Sequence, residues 1–557
     1  MKMKRNMSKE NKIVLSISIL TLVIVCLPLF TGNCINGHDI EYHLLRIESL
    51  KEGILMGKPF LKVNVLFFGQ RGYASSLFYP DFLLYLPAVL RALSVPINMS
   101  YHIFIAFCFS AAYGTTYFCA KKISGNSYIA LMSAVILTLS TYHLDDVYLR
   151  SAVGEYTAFI FLPFLVYGLY DMMFGELEHP VLMAIGFSGV LLCHTNTTFF
   201  CIGLYAIAFL FSIKKFIQNK KLFVRLIMTA MSVLVITAFY WVPVLEQILS
   251  GGFLYAASEF NLANEMLEVK EILSNSAPAM GIGLFVLCLP RLFLIRTEGQ
   301  KRSVLLRFAD WCLLVGLLYS LGATRLFPWA RVQNLLSFIQ FPWRLFIVST
   351  TLLSFAAAIY MSDYFKEENK KETALLIVLA VMIVGFAGNI TNNEQGYYSY
   401  SDDYYSYIPF TGNVIGGEWL PSGVSDREAL LVNTDTAVDS NGKEYTVERF
   451  KNELSVDNLD KNADYVDIPF IYYKGYAVEG IDQNTKIDLS VTGEGANGQC
   501  RVYLNGSSSH IRVFYKGTIL QKVSLAVSIL LCLLLLVVFY KHRNIIVSKQ
   551  STSNIAS

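Results

Sequence analysis

The feature that most constrains this chain is a succession of apolar runs, each about as long as a membrane-spanning helix. A helix needs roughly twenty mostly apolar residues to cross about 30 Å of hydrocarbon. Only 16% of the 557 residues are charged, below the quarter or so that is usual for a soluble domain. The sequence therefore predicts a polytopic α-helical membrane protein of about twelve spans: 13–30, 99–120, 127–143, 155–174, 180–195, 197–213, 222–247, 277–295, 304–322, 344–361, 372–389 and 518–540.

One further apolar stretch, 77–93, contains Pro80 and Pro87, which suit a kinked segment better than a straight span. If this stretch crossed the membrane, Lys121 and Lys122 would fall outside the cell, against the positive-inside rule. Treating it as a surface or re-entrant segment places the lysine- and arginine-rich loops on one side. We therefore predict a multi-pass protein of the cell membrane with both termini in the cytoplasm.

The polar region 390–517 interrupts the apolar runs before the last span. Alternating apolar and polar residues punctuated by glycine predict antiparallel strands at 465–481, 486–493, 500–506 and 510–517. The expected organisation is a transmembrane domain at 1–389, an extracytoplasmic β-rich domain at 390–517, and a final transmembrane helix with a cytoplasmic tail at 518–557. A tyrosine-rich stretch, 397–410, opens the β-rich domain and is suited to the headgroup zone.

Charge and cysteine content exclude several classes of function. The net charge of +3 shows no basic footprint of the kind that nucleic-acid binding requires. The ten cysteines include no CxxC pair and no metal-type spacing. Cys34 and Cys500 lie outside the apolar runs, and whether they pair is open.

Polar residues gather in three predicted outer loops, beside or within the hydrocarbon zone. Ionisable groups are costly there, so a function is the first hypothesis, although acids and arginines can also pair simply to hold loops together. The first loop carries "HDIEYHLLR", the second "DDVYLRSAVGE" and a late loop "QFPWR". The candidate residues are His38, Asp39, Glu41, His43, Arg46, His143, Asp145, Asp146, Arg150, Glu155, Gln340, Trp343 and Arg344.

Two acidic clusters can hold a divalent cation or activate a hydroxyl group, and an arginine fork matches phosphate oxygens. This combination predicts transfer from a phosphorylated donor. Outside a bacterial membrane such donors are lipid-linked, so we expect a polyprenyl phosphate or diphosphate sugar. A divalent cation is open and not required, because direct displacement at a sugar carbon needs only a base and a group that neutralises the departing phosphate.

The motifs "HDIEYH", "YPDFLLYLPAVL" and "LDDVYLRSAVGE" resemble the GT-C superfamily of membrane glycosyltransferases. The resemblance implies that Asp39 is the first-loop catalytic acid and that Asp145 or Asp146 belongs to a second acidic patch. The adjacent acids depart from the acid-x-acid element of metal-using members. The candidate catalytic residues are Asp39, Glu41, Asp145 and Asp146. The candidate substrate-binding residues are His38, His43, Arg46, Arg150, Glu155, His194, Gln340, Trp343 and Arg344.

More narrowly, these loops together with "GEWLP" (417–421) and "IPFIYYKGYAVEG" (468–480) look similar to a bacterial family labelled pyruvoyl-tetrahydropterin synthase-related. They are also similar to YfhO-type proteins linked to lipoteichoic-acid glycosylation. Pterin chemistry is rejected, because its zinc site uses three histidines and the eight histidines here are dispersed. The resemblance implies a cell-envelope acceptor, such as a lipid, teichoic acid or polysaccharide, glycosylated on the outer face.

Two other functions compete with glycosyl transfer. A transporter or flippase of lipid-linked sugars also needs many spans and a charged cavity, but no inverted repeat is visible. A non-catalytic envelope scaffold would leave the acids structural. His194, in "CHTNTTFF" (193–200), can either contact a phosphate or be satisfied by neighbouring threonines. The sugar, the acceptor and the oligomeric state are not set by the sequence.

Overall fold

The structure is a computed structural model that describes residues 8–64, 66–254, 261–275, 278–294, 303–392, 396–403, 417–432, 435–460, 462–480, 492–504 and 509–553. Most of the predicted strand 486–493, much of the tyrosine-rich stretch 397–410 and the last four residues of the predicted tail lie outside these ranges.

Helices dominate the described chain. Three short segments, Ser75–Phe78, Thr141–Leu144 and Val269–Ile272, are single turns. The α-helices are α1 Lys9–Val25, α2 Ile40–Leu55, α3 Ser75–Phe78, α4 Tyr85–Ala92, α5 Ile97–Ser124, α6 Ser127–Thr138, α7 Thr141–Leu144, α8 Val153–Ala158, α9 Leu162–Phe174, α10 Pro180–Leu191, α11 Thr195–Gln218, α12 Lys220–Ile236, α13 Ala238–Ser250, α14 Val269–Ile272, α15 Ile282–Val286, α16 Val304–Gly322, α17 Trp329–Leu336, α18 Phe346–Tyr364, α19 Lys371–Asn392 and α20 Ile519–Ser553.

Five helical segments among the described residues are long and apolar enough to cross a membrane, or up to seven if two bent pairs each count as one span. The bent pairs are 127–149, which turns by 49°, and 220–250, which turns by 71°. These helices are those of a multi-pass membrane protein. The count of about twelve spans stays a prediction, because several apolar runs form shorter helices, as α8 and α9 do within 155–174. The five segments are Ile97–Ser124, Thr195–Gln218, Val304–Gly322, Pro342–Tyr364 and Lys371–Asn392.

The chain forms two compact units. The first comprises Met1–Phe60, Pro80–Thr229 and Ala257–Tyr407, and the second comprises Leu61–Tyr79, Ala230–Ala256 and Ile408–Ser557. The predicted boundaries at 389 and 517 differ from this division, because two stretches from the predicted transmembrane domain and the last helix pack with the polar region. Within the second unit, for example, Ser528 Oγ donates a hydrogen bond to the carbonyl of Val235 at 2.9 Å.

Helix α18 lies at the centre of the first unit, and every residue from Phe346 to Met361 is buried. It packs against α16 and α6. A methyl group added at Gly316 of α16 would lie 3.0 Å from the Leu353 side chain, so glycine permits this close helix approach. Small residues at such contacts are typical of helices packed within a membrane.

The segment 77–93 contains only short helices, α3 and α4. Helix α4 has eight residues and is therefore about 12 Å long, too short to cross the hydrocarbon core. It is held against α2 because Arg91 forms a buried ion pair with Glu48 and a second pair, 2.9 Å long, with Asp402. These bounds agree with the prediction of a segment that does not fully cross.

The described residues of the second unit contain the predicted β structure as eight strands: β3 Thr436–Asp439, β4 Glu444–Phe450, β5 Glu453–Val456, β6 Tyr465–Ile471, β7 Tyr476–Gly480, β8 Thr492–Glu494, β9 Gln499–Tyr503 and β10 Ile511–Tyr515. They form an antiparallel sheet in the order β7-β10-β5-β4-β3-β6-β9-β8. Thr492 Oγ1 donates to the Tyr476 carbonyl at 3.3 Å, which joins the two edge strands into a barrel-like arrangement. Strands β3 to β5 were not predicted. Strands β1 Cys34–Ile35 and β2 Tyr397–Tyr398 pair separately in the first unit.

All ten cysteines are free in the structure. Cys34 is buried and donates a hydrogen bond to the Asn98 side chain at 3.4 Å. Cys500 is buried in β9. Each of these thiols is thus buried within its own unit.

Candidate active site

The first loop and the second acidic motif lie side by side in the first unit. The backbone N–H of His38 donates to the carbonyl of Leu149 at 3.0 Å, and the N–H of Asp39 donates to the carbonyl of Arg150 at 2.9 Å. These two bonds fix Asp39, the residue just before helix α2, beside the segment that carries Arg150. Residues far apart in the sequence are thus brought to one place.

Gly37 makes this approach possible. A Cβ atom at position 37 would lie 2.1 Å from Ser151 Oγ and 3.0 Å from the Ser151 backbone nitrogen, closer than side chains can pack. Ser151 has a positive φ of 51°, which is uncommon for a residue with a side chain. Such backbone strain persists where the surroundings fix it, often at functional sites.

We expect Gly37→Ala to separate the first loop from the second motif. Overpacking of this kind typically costs about 1–3 kcal/mol, and the displaced Asp39 would lose its position beside Arg150. The measurement is the midpoint of thermal unfolding in detergent together with any transfer activity. Gly114→Ala is the matched control, since a Cβ there meets nothing within 4 Å. Equal unfolding midpoints and equal activities of the two variants would contradict the close packing of Gly37 against Ser151.

A local change of helix type shapes the second motif. Residues Asp145–Leu149 form one turn of π-helix, and the chain then bonds back on itself, with the N–H of Ala152 donating to the carbonyl of Asp146 at 2.7 Å. Single π-turns inside helical segments are frequent at functional sites. Here the turn brings Asp146, Arg150 and Glu155 together.

Arg150 forms the centre of the cluster. Its guanidinium is ion-paired with Asp146 and, at 2.7 Å, with Glu155. The Trp343 ring packs against the guanidinium, with 4.2 Å between the Arg150 Cζ atom and the ring centroid. All four side chains are buried. Buried charges are tolerated when they are paired and hydrogen-bonded, so this geometry holds the arginine in one orientation.

Arg344 joins the cluster from the late loop. Its Nε donates to Glu155 at 3.1 Å, and its Nη1 donates to the carbonyl of Ile339 at 3.0 Å and to Gln340 Oε1 at 2.7 Å. Its Nη2 has no acceptor among the described residues, and the side chain keeps 13% of its exposure. One edge of this guanidinium is therefore available to a ligand.

Two further side chains complete the surroundings of Glu155. The Tyr142 hydroxyl donates to its second carboxylate oxygen at 2.6 Å, a contact that the sequence did not indicate. His194 is buried near Glu155, and its Nδ1 lies 2.8 Å from the Thr197 hydroxyl. That contact agrees with the hypothesis that a neighbouring threonine satisfies the hydrogen bonding of His194.

Asp39 differs from the paired acids of the cluster. It is half-buried, and within the described chain its carboxylate has no hydrogen-bond donor. Loss of hydration raises the pKa of Asp39 to about 6, while the nearby charges of Arg150 and Arg344 oppose that rise. A carboxylate with a pKa near the working pH and unoccupied acceptor positions is suited to accept a proton.

Three predicted residues of the first loop have other surroundings. His43 and Arg46 lie on the buried side of α2, 3.3 Å apart between ring nitrogen and guanidinium. Arg46 pairs with Asp81 and donates to the carbonyl of Pro80 at 2.8 Å. Glu41 is exposed. His43 and Arg46 thus connect α2 to the 80–81 segment, which favours a structural role over substrate binding.

The other candidate residues also have surroundings of their own. Asp145 accepts from the Asn389 amide at 2.6 Å and from the N–H of Ala279 at 3.4 Å, so it ties helix ends together. His143 is buried between aromatic rings, 4.3 Å from the Phe159 centroid. His38 is exposed next to Asp39, and burial of part of its ring together with the charge of Arg150 lowers its pKa.

The charged side chains of the cluster suit an anionic ligand better than a cation. Asp146 and Glu155 both form ion pairs with Arg150, and Glu155 also pairs with Arg344. Within the described ranges, no group of three or more histidine, cysteine, aspartate and glutamate side chains is arranged to hold a metal ion.

Comparison with known proteins gives weak similarities. No family model matches the sequence. A protein of Lactococcus lactis subsp. cremoris (strain MG1363), described only as uncharacterized, is 22% identical over 265 residues, which cover 46% of this chain and 43% of that protein. This chain therefore spans less than half the length of that relative.

Two solved structures are also similar in part. A mutant arabinofuranosyltransferase AftD from Mycobacteria aligns with 69% of this chain and 28% of its own, at a TM-score of 0.41 and 14% identity. The oligosaccharyltransferase of Archaeoglobus fulgidus, solved with Zn and sulfate, aligns with 74% of this chain and 57% of its own, at a TM-score of 0.35 and 13% identity. These likenesses are too weak to assign an activity to this chain.

Proposed function

We propose that this protein is a membrane glycosyltransferase of the GT-C kind, which moves a sugar from a polyprenyl-phosphate-linked donor to a cell-envelope acceptor on the outer face of the membrane. The observation that carries the proposal is a half-buried carboxylate, Asp39, beside two arginines that a single buried glutamate holds in place. The motif resemblance of the loops that supply these residues supports it.

Asp39 acts as the general base. Its unoccupied carboxylate oxygens can accept a hydrogen bond from the acceptor hydroxyl, and a pKa of about 6 leaves the group mostly ionised at neutral pH. A base whose pKa lies near the operating pH combines the correct protonation state with a useful driving force for proton transfer.

Arg344 binds the donor phosphate. Its Nη2 is turned to neither Glu155 nor Gln340, so it can donate to a phosphate oxygen while the other nitrogens stay fixed. Arg150 adds positive charge nearby but is more completely buried. A guanidinium already oriented by protein acceptors loses less conformational entropy when it binds.

The reaction follows from these positions. The acceptor oxygen attacks the anomeric carbon and forms the new glycosidic bond, while its proton passes to the Asp39 carboxylate. The bond between the anomeric carbon and the phosphate oxygen breaks, and its electron pair leaves with the lipid phosphate. Preorganised donors such as Arg344 stabilise the charge that develops on the leaving oxygen.

We expect Arg344→Gln to weaken donor binding as well as transfer. Loss of a charged hydrogen bond typically costs about 1.5–3 kcal/mol, or roughly ten- to a hundredfold in affinity. The measurement is binding of a polyprenyl-phosphate sugar to the purified protein, together with a comparison of envelope glycans between strains. Glu155 keeps Arg150 and Tyr142 as partners, so the variant should fold.

Two comparisons make this experiment decisive. Arg344→Lys keeps the charge without the fork and should recover only part of the affinity. Arg331→Gln, at an exposed arginine of the preceding helix α17, is the matched control and should leave binding unchanged. Normal donor binding and normal glycans in the Arg344→Gln strain would remove the proposed phosphate contact.

A further inference from the structure

Two tyrosines and an arginine lie together on the outer face of the β-sheet in the second unit. Tyr465 of β6 is directly opposite Tyr503 of β9, and Arg501 comes two positions before Tyr503. Residues two apart in a strand point to the same face of the sheet. Their neighbours Val466 and Val502 are buried, so the two tyrosines and the arginine face away from the core.

The charge of Arg501 is balanced by one carboxylate. Its Nε and Nη2 donate to the two oxygens of Asp467 at 2.8 and 2.9 Å. These hydrogen bonds raise the pKa of Arg501, and the nearby Tyr465 and Tyr503 raise it further. The paired side chain needs no additional anion, because a bidentate carboxylate already matches the guanidinium in charge and geometry.

One edge of the same guanidinium remains available. Its Nη1 has no acceptor among the described residues, and the side chain keeps 22% of its exposure. The Arg501 Cζ atom lies 3.6 Å from the centroid of the Tyr465 ring, so the planar group is stacked on an aromatic face. A guanidinium held at its edge and its face is oriented before any ligand arrives, which lowers the entropy lost on binding.

Tyr503 extends this surface toward the edge of the sheet. Its side chain is 44% exposed. A Cβ atom at Gly493 of β8 would lie 3.3 Å from Cε2 of the Tyr503 ring and 3.4 Å from its hydroxyl oxygen, so the ring lies beside a position that has no side chain. Its hydroxyl group has no hydrogen-bond partner in the part of the chain that the structure describes.

The composition of this surface differs from that of the sheet around β10. There Arg512 faces two carboxylates, those of Glu453 and Glu479, so acids outnumber the base. Around Arg501 the one acid and the one base are paired with each other, and aromatic rings adjoin them. A surface with balanced charge, exposed ring carbons and open hydroxyl and N–H groups suits an uncharged ligand that is rich in hydroxyl groups.

We propose that Tyr465, Arg501 and Tyr503 form a binding surface for an uncharged oligosaccharide. The Tyr503 ring packs against the C–H groups on one face of a pyranose, while the tyrosine hydroxyls and Arg501 Nη1 form hydrogen bonds with its hydroxyl groups. Aromatic side chains beside a few oriented polar groups are typical of small-molecule sites. This surface shares no residue with the cluster around Glu155, and binding there does not require transfer at Asp39.

Binding of oligosaccharides to the full-length protein tests the surface. The protein is kept in a detergent without a sugar headgroup, which would otherwise compete. Maltohexaose, cellohexaose and xylohexaose are titrated separately in a calorimeter, and the hexamer of galacturonic acid is the charged reference at the same ionic strength. We expect saturable binding of a neutral hexamer and weaker binding of the charged one, because Asp467 lies beside the donors of the site.

Tyr503→Ala should weaken the binding of the neutral hexamer by roughly tenfold, as expected for an aromatic anchor. Tyr503→Phe keeps the ring and should retain most of the affinity. Phe450→Ala is the matched control, since Phe450 is a 69% exposed aromatic residue of β4 in the same sheet. It should bind like the wild type. The exposure of both side chains means that the unfolding midpoints should change little.

Three results would overturn the proposal. None of the neutral hexamers could bind the wild type saturably, or Tyr503→Ala could bind them as well as Phe450→Ala does. Tighter binding of the galacturonic acid hexamer than of any neutral one would show that the surface selects charge. Each result can occur whether or not the transfer reaction at Asp39 is correct, so the two proposals fail independently.

Discussion

Asp39→Asn is expected to abolish most glycosyl transfer while leaving the protein folded and able to bind its lipid donor. Asparagine preserves the size and shape of the side chain, but it cannot accept a proton from the acceptor hydroxyl. General-base assistance of this kind is typically worth about 10²- to 10⁴-fold in rate. The measurement is single-turnover transfer with purified protein, beside donor binding on the same preparation.

The pH dependence gives a second readout of the same residue. Because burial raises the pKa of Asp39 to about 6, the carboxylate is protonated below that pH and transfer should fall as the pH drops through 6. Arg344 lowers this pKa, so Arg344→Gln should move the acid limb of the profile to higher pH. If Asp39 had only a structural role, Arg344→Gln would leave the acid limb of the transfer profile where it is in the wild type.

Asp363→Asn is the matched control for the charge change, since Asp363 is an exposed acid near the end of α18. It should retain both the rate and the pH profile. Transfer by Asp39→Asn within a few-fold of the wild type would reject the base assignment, and the transporter and scaffold hypotheses would then replace it.

The long apolar runs predicted the class of the fold, while the number of spans stays a prediction. Long runs such as 99–120 became single helices, because nothing within them breaks the helix. The run 155–174 became two helices separated at Phe159–Phe161, followed by Pro163 near the start of the second. Mean hydropathy over a window does not detect such breaks. Where they occur depends on tertiary packing, which cannot be read from a single sequence.

The β-rich region was predicted where alternation was strongest. Strands β6, β7 and β10 fall within the expected stretches, and β9 begins one residue before its predicted stretch. Strand β4, "EYTVERF", was missed although its burial alternates, because charged residues occupy its exposed positions and lower its apolar content. The alternation itself was the available signal.

Residues that are close in the sequence have different surroundings in two parts of the candidate site. Asp145 and Asp146 are neighbours and were treated as equivalent, yet adjacent residues of a helix point in different directions. Asp146 therefore meets Arg150, whereas Asp145 meets Asn389. The same helical geometry applies to α2, where His43 lies on the buried face and Glu41, two positions earlier, is exposed.

Residues that complete the site without ionising were the hardest to find. Tyr142 bonds Glu155 across thirteen positions of the chain, and only the turn after α6 brings them together. Gly37 carries no functional group at all, and its importance lies in the space that it leaves for Ser151. A sequence shows which groups are available, while the backbone path decides which of them meet.

Glu155→Gln is expected to cause the largest loss of stability of any single change in the cluster. Glu155 is 2% exposed and is the shared anionic partner of Arg150 and Arg344. Removing one partner of a buried ion pair typically costs about 3–5 kcal/mol, because the remaining charge is left uncompensated. The unfolding midpoint in detergent should fall sharply, while Glu178→Gln, at an exposed glutamate, should leave it unchanged.

The double variant Glu155→Gln/Arg344→Gln tests whether uncompensated charge is the cause. If uncompensated charge destabilises the single variant, removal of Arg344 should restore part of the midpoint, since Arg150 keeps Asp146 as its partner. Transfer should remain weak, because the proposed contact of Arg344 with the donor phosphate is gone. Additive destabilisation in the double variant would show that the charge of Arg344 does not depend on Glu155 for compensation.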